Sequence, residues 1–236
     1  MTEYPGRELE LFAFAENWKQ YFASHIRSSI HGRVLEVGAG IGGTTKFLCT
    51  GNEKEWICLE PDQKLAAQLK ESIKTNQLPA NCQVIEQSTA ELASNETFNT
   101  IIYIDVLEHI QNDRMEILNA FKLLEEGGIL IVVSPAHQWL YSPFDKAIGH
   151  YRRYTKKTLR SIIPDLFEEK KLLYLDGLGL MASLMNKVLL RQSYPTKKQI
   201  VFWDQYIIPA STIFDYLTSA FAGRSILGIW EKRSSS

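Results

Sequence analysis

The sequence predicts an α/β fold: a doubly wound, mostly parallel sheet of seven strands with a helical insertion before the last strand. Apolar runs of strand length alternate with stretches of helical period, which is typical of a sheet covered by helices on both faces. A glycine-rich segment follows the first run, as in Rossmann-like folds. With 236 residues, 45% of them hydrophobic, the chain suits one domain, and we expect it to span residues 1–236.

The strands are predicted from short apolar runs bounded by polar or glycine-containing segments. In chain order they cover residues 33–37, 56–60, 83–86, 100–104, 129–133, 171–175 and 225–231.

The helices are predicted from their caps and from apolar residues that recur every three or four positions. The first, about 8–30, is rich in aromatic residues. Further helices begin after Asp62, at Asn112 or Asp113, and after Thr155. The turn 125–128 ends the helix that begins at Asn112 or Asp113. Residues 134–154 and about 177–224 form connections longer than this fold needs, and long loops of this kind often carry function.

Composition excludes several classes of protein. The chain has 26 Lys and Arg against 27 Asp and Glu, so its charge gives no general reason to bind nucleic acid or an anionic membrane. Its three cysteines, an odd number without C-x-x-C spacing, are expected to be core thiols in a reducing compartment. Neither a signal peptide nor a run of about 18 apolar residues is present. We therefore expect a cytoplasmic protein that does not bind nucleic acid.

The segment "VLEVGAGIGG", residues 34–43, fits two cofactor patterns. Gly38, Gly40 and Gly43 match the G-x-G-x-x-G fingerprint of NAD(P)-dependent oxidoreductases, whereas Glu36 with glycines at 38, 40 and 42 matches E-x-G-x-G-x-G. In both cases the glycines make a tight turn that brings the backbone close to a ligand. Glu60, about 20 residues further on, can accept ribose hydroxyls in either cofactor. The glycines alone leave both classes open.

The rest of the sequence resembles the class I S-adenosylmethionine-dependent methyltransferases. The segments that carry the resemblance are "VLEVGAGIGG", "ICLEPD", "NTIIYIDVLEHI" and "LLEEGGILIVVSPAH", in the order and at the spacing of that family. "DVLEHI" resembles the branch that includes the ubiquinone-pathway O-methyltransferases, and "FDKAIGHYRRYTKKTLRSII" resembles a bacterial subgroup. The resemblance implies methyl transfer from S-adenosylmethionine, with S-adenosylhomocysteine as the product.

The same resemblance implies a set of cofactor contacts. Glu36 would hold the methionine end, and Ser88 or Thr89 would replace the Asp that the family usually has near the adenine amino group. The first helix would cover the cofactor through Trp18 and Tyr21, although a core-packing stripe that includes Asn17 explains their spacing equally well. The full set is Trp18, Tyr21, Glu36, Gly38, Ala39, Gly40, Gly42, Thr44, Glu60, Pro61, Ser88, Thr89, Asp105 and Val106.

Methyl transfer requires an aligned acceptor and, where needed, a base that removes a proton. Candidates should follow the fourth and fifth strands, because ligands of open parallel sheets bind at the carboxyl ends of the strands. His150 is the predicted base, with His109, Asp105 and His137 as further catalytic candidates. A structural or solvated role is the alternative for each histidine.

The loop after the fifth strand also supplies candidate acceptor contacts. Arginine pairs bidentately with carboxylates and phosphates, so Arg152 and Arg153 are predicted to hold an anionic group of the acceptor. The alternative is that they pair with Asp145 or with a helix terminus. The predicted acceptor contacts are Tyr141, Asp145, Arg152, Arg153 and Tyr154.

We assign no metal ligands, but one alternative remains. If residues 105–110 are helical, Asp105, Glu108 and His109 share a face and could bind a divalent cation that activates a hydroxyl group. The competing interpretation is a helix cap followed by a packed histidine.

The late insertion is rich in Met, Leu and aromatic residues. It is predicted to be a lid or wall of the acceptor pocket, with a homodimer contact and a membrane-surface contact as alternatives. The predicted acceptor is a small, partly hydrophobic or anionic metabolite. Methylation at oxygen is favoured over carbon or nitrogen. An NAD(P)-dependent oxidoreductase and a non-catalytic S-adenosylmethionine-binding protein are the alternative functions.

Overall fold

The structure is a computed structural model that describes residues 8–93, 95–185 and 195–234. Seven strands form one sheet in the order β3-β2-β1-β4-β5-β7-β6, and β7 runs antiparallel to both of its neighbours while the other pairs are parallel. The strands are β1 Arg33–Val37, β2 Glu55–Leu59, β3 Cys82–Ile85, β4 Phe98–Ile104, β5 Leu124–Pro135, β6 Phe167–Leu175 and β7 Ser225–Lys232. The predicted Rossmann-like, mostly parallel sheet is confirmed.

Helices flank the sheet and also form the insertion before β7. They are α1 Glu8–Phe12, α2 Glu16–Ile26, α3 Thr45–Leu48, α4 Gln63–Lys74, α5 Asp113–Leu123, α6 Pro143–Ala147, α7 Lys156–Ile162, α8 Gly177–Met185, α9 Lys197–Phe202 and α10 Ile208–Leu217. A π-helical turn, Trp203–Ile207, joins α9 to α10. None of the helices in the described part of the chain is long and apolar enough to cross a membrane.

Each face of the sheet has its own apolar core, because successive side chains of a strand point to opposite faces. One core includes Val34 and Trp56 from the sheet, packed with residues of α2, α4 and the π-helical turn. The other includes Leu35 and Ile101, packed with residues of α5 and α7. The three cysteines are free and buried, as predicted for core thiols. This two-sided packing makes the fold doubly wound.

The predicted helix starts have the expected caps. Asp62 accepts hydrogen bonds from the backbone of Lys64 and Leu65, and Thr155 accepts one from Thr158. Of the two candidates for α5, Asn112 is the cap. Glu125 to Gly128 already belong to β5, which begins earlier than predicted.

The single first helix predicted over 8–30 is wrong: the chain forms α1, α2 and a short 3-10 turn. Lys19 stabilises the break, because its ammonium donates to the carbonyl oxygens of Phe12 and Ala13 at 2.7 and 3.1 Å. These carbonyls lie at the end of α1, where a cation is favourable.

The antiparallel direction of β7 determines which residues meet at one edge of the sheet. Pro135 at the end of β5 pairs with Ser225 at the start of β7. The edge where β1, β4 and β5 end is therefore also where β7 begins. Because the insertion connects the end of β6 to the start of β7, α8 to α10 emerge from and return to this same edge.

Candidate active site

The turn after β1 is built by glycines with backbone angles that other residues avoid. Gly38, Gly40 and Gly42 have φ values of 65°, 59° and 79°. A Cβ atom on Gly38 would lie 2.7 Å from a methyl carbon of Val106, after β4. The turn therefore requires glycine, and it brings the ends of β1 and β4 into close contact. This is the cradle expected for a nucleotide-type ligand.

Glu36 and Glu60 fix the shape of this turn. The buried Glu36 carboxylate accepts hydrogen bonds from the Thr44 and Thr45 hydroxyls at 2.6 and 2.7 Å and from Trp56 Nε1 at 2.8 Å. Burial raises the pKa of Glu36, although these three donors favour its ionised form. In this structure Glu36 braces the turn and the start of α3.

Glu60, directly after β2, has both carboxylate oxygens near the turn. One oxygen accepts from the backbone N–H of Gly40 at 2.8 Å and the other from that of Asp62 at 2.9 Å. Burial raises the pKa of this group too. Since a carboxylate oxygen accepts more than one hydrogen bond, Glu60 can also accept from two ribose hydroxyls. The exposed Pro61 follows it.

Lys19 was missed in the sequence. Besides closing α1, its Nζ lies 3.9 Å from the place that a Cβ atom on Gly43 would occupy, so the ammonium adjoins the glycine turn. Burial lowers its pKa to about 8, a shift that the nearby Asp204 opposes. The available signal was a lysine within the aromatic face of the first helix, next to Trp18.

Trp18 and Tyr21 pack against the insertion. The Trp18 ring lies 5.9 Å from that of Trp203, and the Tyr21 hydroxyl donates to Asp215 at 2.8 Å. Asp204 accepts from the backbone N–H groups of Asn17 and Trp18 at the start of α2. These contacts correspond to the packing-stripe alternative, and they attach the insertion to α2.

Ser88 and Thr89 follow β3, where the adenine contact was predicted. The Ser88 hydroxyl donates to Glu91 at 2.7 Å, and the Thr89 hydroxyl donates to Glu116 at 2.7 Å. Each oxygen keeps a lone pair that can accept from an amino group.

Asp105 lies directly after β4 with a left-handed backbone, φ 53°. The residue as a whole is solvent-exposed. Protein atoms packed around its carboxyl group nevertheless raise its pKa to about 6, and the charges of His150, Arg224 and Arg153 oppose this rise. The segment 105–110 forms a 3-10 turn over Leu107–His109, so the α-helix on which the alternative cation site depends is not formed. Asp105 therefore does not share a helix face with Glu108 and His109.

His150 and Asp145 form a hydrogen-bonded pair. Nδ1 of His150 lies 3.0 Å from Asp145 Oδ1. Arg153 donates to both oxygens of the same carboxylate, at 2.8 and 3.0 Å, and Ser142 donates its backbone N–H. Burial opposes ionisation of Asp145, but the bonds from His150 and Arg153 hold its pKa well below the usual range. The pair thus contains an ionised carboxylate that orients the imidazole ring.

Glu108 lies on the other side of His150. Its side chain is fully buried, and burial raises its pKa well above the usual range. Oε2 accepts from Ser134 at 3.0 Å, whereas Oε1 has no hydrogen-bond partner among the described residues and lies 3.9 Å from His150 Nε2. An unpartnered buried carboxylate oxygen is costly, so it marks a place for a proton, a ligand or a cation.

His109 completes this group, with its ring edge-on to that of His150 at 4.5 Å. Burial lowers the pKa of His109 to about 3, so the ring is neutral at physiological pH. Glu108, His109 and His150 each offer one ligand atom, and these atoms lie within 4.8 Å of one another. Of the three residues in the alternative cation site, the structure brings together Glu108 and His109, with His150 in place of Asp105.

The predicted acceptor contacts are used within the protein. Arg152 pairs with Asp113 at 2.5 Å and donates to the carbonyl of Gln111, at the start of α5. Both arginines therefore show the alternative pairing, one with a helix terminus and the other with Asp145. Tyr154 is 1% exposed and donates to Asp113 at 2.7 Å, so its predicted contact with an acceptor is replaced by a place in the core. Tyr141 donates to the backbone carbonyl of His150 at 2.6 Å.

His137, after β5, has φ 65° and packs its ring 4.7 Å from Tyr174. Its Nε2 is buried without a hydrogen-bond partner in the described ranges, and burial lowers its pKa.

Comparison with known proteins agrees with this geometry. Residues 9–169 match the family model described as a methyltransferase domain. No curated protein matches the chain. Among solved structures, the fold is similar to N-methyltransferase NodS from Bradyrhizobium japonicum WM9 in complex with S-adenosylhomocysteine, at 14% identity and a TM-score of 0.59, covering 93% of this chain and 87% of that one.

Two further structures show the range of this fold. Coclaurine N-methyltransferase bound to N-methylheliamine and S-adenosylhomocysteine has 14% identity and a TM-score of 0.61, with 92% of this chain and 72% of that one covered. The [4+2]-cyclase SpnF has 14% identity and a TM-score of 0.63, with 92% and 81% covered. Likeness at this level shows the fold, and a fold alone does not determine the reaction. The family match covers more than half of the chain and decides between the two cofactor patterns of the glycine turn. The chain therefore belongs to the methyltransferase domain family and is an S-adenosylmethionine-dependent methyltransferase of class I fold.

Proposed function

We propose that this enzyme methylates a hydroxyl group of a small, partly hydrophobic or anionic metabolite, with His150 as the general base. One observation carries the proposal: Asp145 holds Nδ1 of His150 at 3.0 Å. When Nδ1 carries the proton that it donates to Asp145, Nε2 keeps a lone pair that can accept a proton. Acceptors of all three kinds lose a proton on methylation, but a neutral hydroxyl is a poor nucleophile until a base removes its proton, whereas a neutral amine attacks through its own lone pair. A fixed base is therefore the reason for favouring a hydroxyl acceptor.

The cofactor supplies an electrophilic methyl group when bound. We assign the ribose to Glu60, the close backbone approach to Gly38, Ala39, Gly40 and Gly42, and the adenine amino group to Ser88 or Thr89. Lys19 is assigned to the methionine carboxylate, because its ammonium adjoins the glycine turn and has one further proton to donate. Asp105 and Val106, at the edge between β1 and β4, are assigned to the methionine side.

The acceptor is assigned to the β5, β7 and insertion side of this edge. Arg153 holds Asp145 beside His150, and Tyr141 holds the backbone of His150. Both residues therefore position the base. Helices α2 and α8 to α10 form the wall or lid of the pocket. A homodimer and a cytoplasmic location stay predictions.

The test is a screen with deuteriomethyl-labelled S-adenosylmethionine and a panel of phenols, acids, sugars and isoprenoid lipids, read by mass spectrometry. A labelled O-methyl product is expected. His150→Gln should lower kcat roughly 10²- to 10⁴-fold with little change in acceptor KM, since a base acts mostly in the transition state. A labelled N- or C-methyl product, or unchanged kcat in His150→Gln, would contradict the proposal.

Activation by a divalent cation is a second candidate mechanism, and the unpartnered Oε1 of Glu108 favours it. Carboxylate and imidazole groups bind divalent cations, and Glu108, His109 and His150 supply one ligand atom each. Asp145, bonded to Nδ1 of His150, would orient the ring so that Nε2 faces the cation. If a cation does the work, EDTA should abolish turnover and one added divalent metal should restore it. Turnover that is indifferent to EDTA leaves His150 as the base.

A further inference from the structure

Arg224 occupies an unusual place at the functional edge. It directly precedes β7, and its backbone is held on both sides: its carbonyl accepts from Ala136 at 2.8 Å and its N–H donates to the carbonyl of Asp176 at 3.1 Å. Three strand spacings separate β7 from β1 in the sheet, about 14 Å. Arg224 therefore lies on the acceptor side of the edge, away from the glycine turn.

The guanidinium group of Arg224 stacks on Trp203, 4.8 Å from the ring centre. Within residues 8–93, 95–185 and 195–234 it makes no hydrogen bond and no ion pair. This contrasts with Arg152 and Arg153, whose guanidinium groups are both paired with buried carboxylates. The Arg224 side chain is partly exposed, so its N–H donors are accessible to a ligand, and the protein packed around it lowers its pKa by burial.

The nearby carboxylate of Asp176 does not neutralise this cation by contact. Its Oδ1 accepts from the Ser211 hydroxyl at 2.6 Å and the Gly179 N–H at 2.9 Å, and its Oδ2 accepts from Trp203 Nε1 at 2.8 Å. Asp176 therefore fixes the tryptophan on which the guanidinium stacks. Stacking holds the plane of the group and leaves its N–H donors at the edge available for a bidentate partner.

The backbone contacts of Arg224 show which part of the site it borders. Ala136, which donates to the Arg224 carbonyl, forms a bridge with Tyr154, at the end of the loop that carries Asp145 and His150. The carboxylates of Asp176, Asp105 and Asp145 raise the pKa of Arg224, whereas the like charge of Arg153 lowers it. An anion bound by Arg224 would lie on the acceptor side, next to the loop that carries the base.

We propose that Arg224 is the binding site for an anionic group of the acceptor, a carboxylate or a phosphate. The inference rests on the proposed function, because it assigns the acceptor to this side of the edge. Arg224 takes the role that the sequence suggested for Arg152 and Arg153. The acceptor class becomes an acidic metabolite whose hydroxyl reaches His150 while its anion pairs with Arg224.

Calorimetry on the protein saturated with S-adenosylhomocysteine tests this, with benzoate and inorganic phosphate as separate probes. The wild-type protein should bind at least one of them, and Arg224→Gln should weaken that binding about 10- to 100-fold. Whichever probe binds identifies the anion as carboxylate or phosphate. Arg160→Gln is the matched control, because Arg160 is an exposed arginine paired with Glu169, and it should bind as the wild type does.

Arg224→Lys keeps the charge and loses the planar fork, so it should bind the probe several-fold more weakly than the wild type and more tightly than Arg224→Gln. This variant keeps the test valid should Arg224→Gln fold poorly. Absence of binding of either probe to the wild type, or equal binding by Arg224→Lys and Arg224→Gln, would overturn the inference. So would a loss of S-adenosylhomocysteine affinity in Arg224→Gln, which would place Arg224 on the cofactor. None of these readouts needs methyl transfer, so failure here is distinct from failure of the proposed O-methylation.

Discussion

The two sides of the functional edge differ in how their residues are brought together. On the cofactor side, the glycine turn, Glu36 and Glu60 lie within 25 residues of sequence, and several of the contacts use backbone groups. On the acceptor side, Glu108, the pair of Asp145 and His150, and Arg224 come from three separate segments of the chain, and Glu108, Asp145 and His150 approach one another through their side chains. The first side depends on backbone shape, and the second on long-range packing. Substitutions on the two sides should therefore fail in different ways.

The largest expected effect is on the cofactor side. Gly38→Val should abolish binding of S-adenosylmethionine, with affinity lowered more than about 100-fold, because φ is 65° and a Cβ atom would meet Val106 at 2.7 Å. Isothermal calorimetry measures this. Gly127→Ala is the matched control, since Gly127 also has positive φ but no atom within 4 Å of an added Cβ. Equal losses of affinity in both variants would mean that backbone strain, and not the shape of the cradle, is responsible.

This contrast also explains what the sequence could predict. The seven strands, the caps at Asp62 and Thr155 and the glycine turn depend on local patterns, so they were predicted, although β5 begins at Leu124 and not at residue 129. Lys19 was missed because its two acceptors belong to a helix end that the sequence did not indicate. The approach of His150 to Glu108 was also missed, because His150 comes from a loop held by contacts of Arg152, Arg153 and Tyr154.

Arg224 could not be recognised from its neighbours in sequence. Its place depends on the reversal of β7, which puts the start of that strand beside the end of β5.

The next effect lies on the acceptor side. Asp145→Asn should lower kcat about 10²-fold without changing cofactor affinity, because the amide no longer orients His150 as an anion does. Steady-state kinetics gives the effect, and a double-mutant cycle with His150→Gln should be strongly non-additive. Additive losses of kcat would show that Asp145 and His150 act independently, which would contradict their action as a hydrogen-bonded pair.

A smaller effect concerns Lys19 and pH. Its pKa is lowered to about 8, so the ammonium is present below pH 8 and is lost as the pH rises through 8. Cofactor affinity should therefore fall about 10-fold between pH 7 and pH 9.5 in the wild type, and Lys19→Met should be weak and independent of pH over that range. Lys46→Met is the control, because Lys46 is an exposed lysine on α3. If Lys19→Met shows the same pH profile as the wild type, Lys19 does not bind the methionine carboxylate of the cofactor.

The smallest effect is expected at the adenine. Ser88→Ala should weaken S-adenosylhomocysteine binding only about two- to fivefold, since a neutral hydroxyl accepts a single exposed hydrogen bond. Ser161→Ala, on α7, should bind the cofactor as the wild type does. A loss larger than tenfold in Ser88→Ala would show that Ser88 does more than contact the adenine.

The most direct test combines two measurements on His150→Gln: calorimetric titration with S-adenosylhomocysteine, and single-turnover methyl transfer to the acceptor found in the screen. We expect an unchanged dissociation constant together with a transfer rate lowered roughly 10²- to 10⁴-fold. That result would show that the two sides of the edge act separately, one in binding the cofactor and the other in activating the acceptor. A wild-type transfer rate, or a cofactor affinity that falls together with the rate, would contradict the role of His150 as a base that acts on the acceptor.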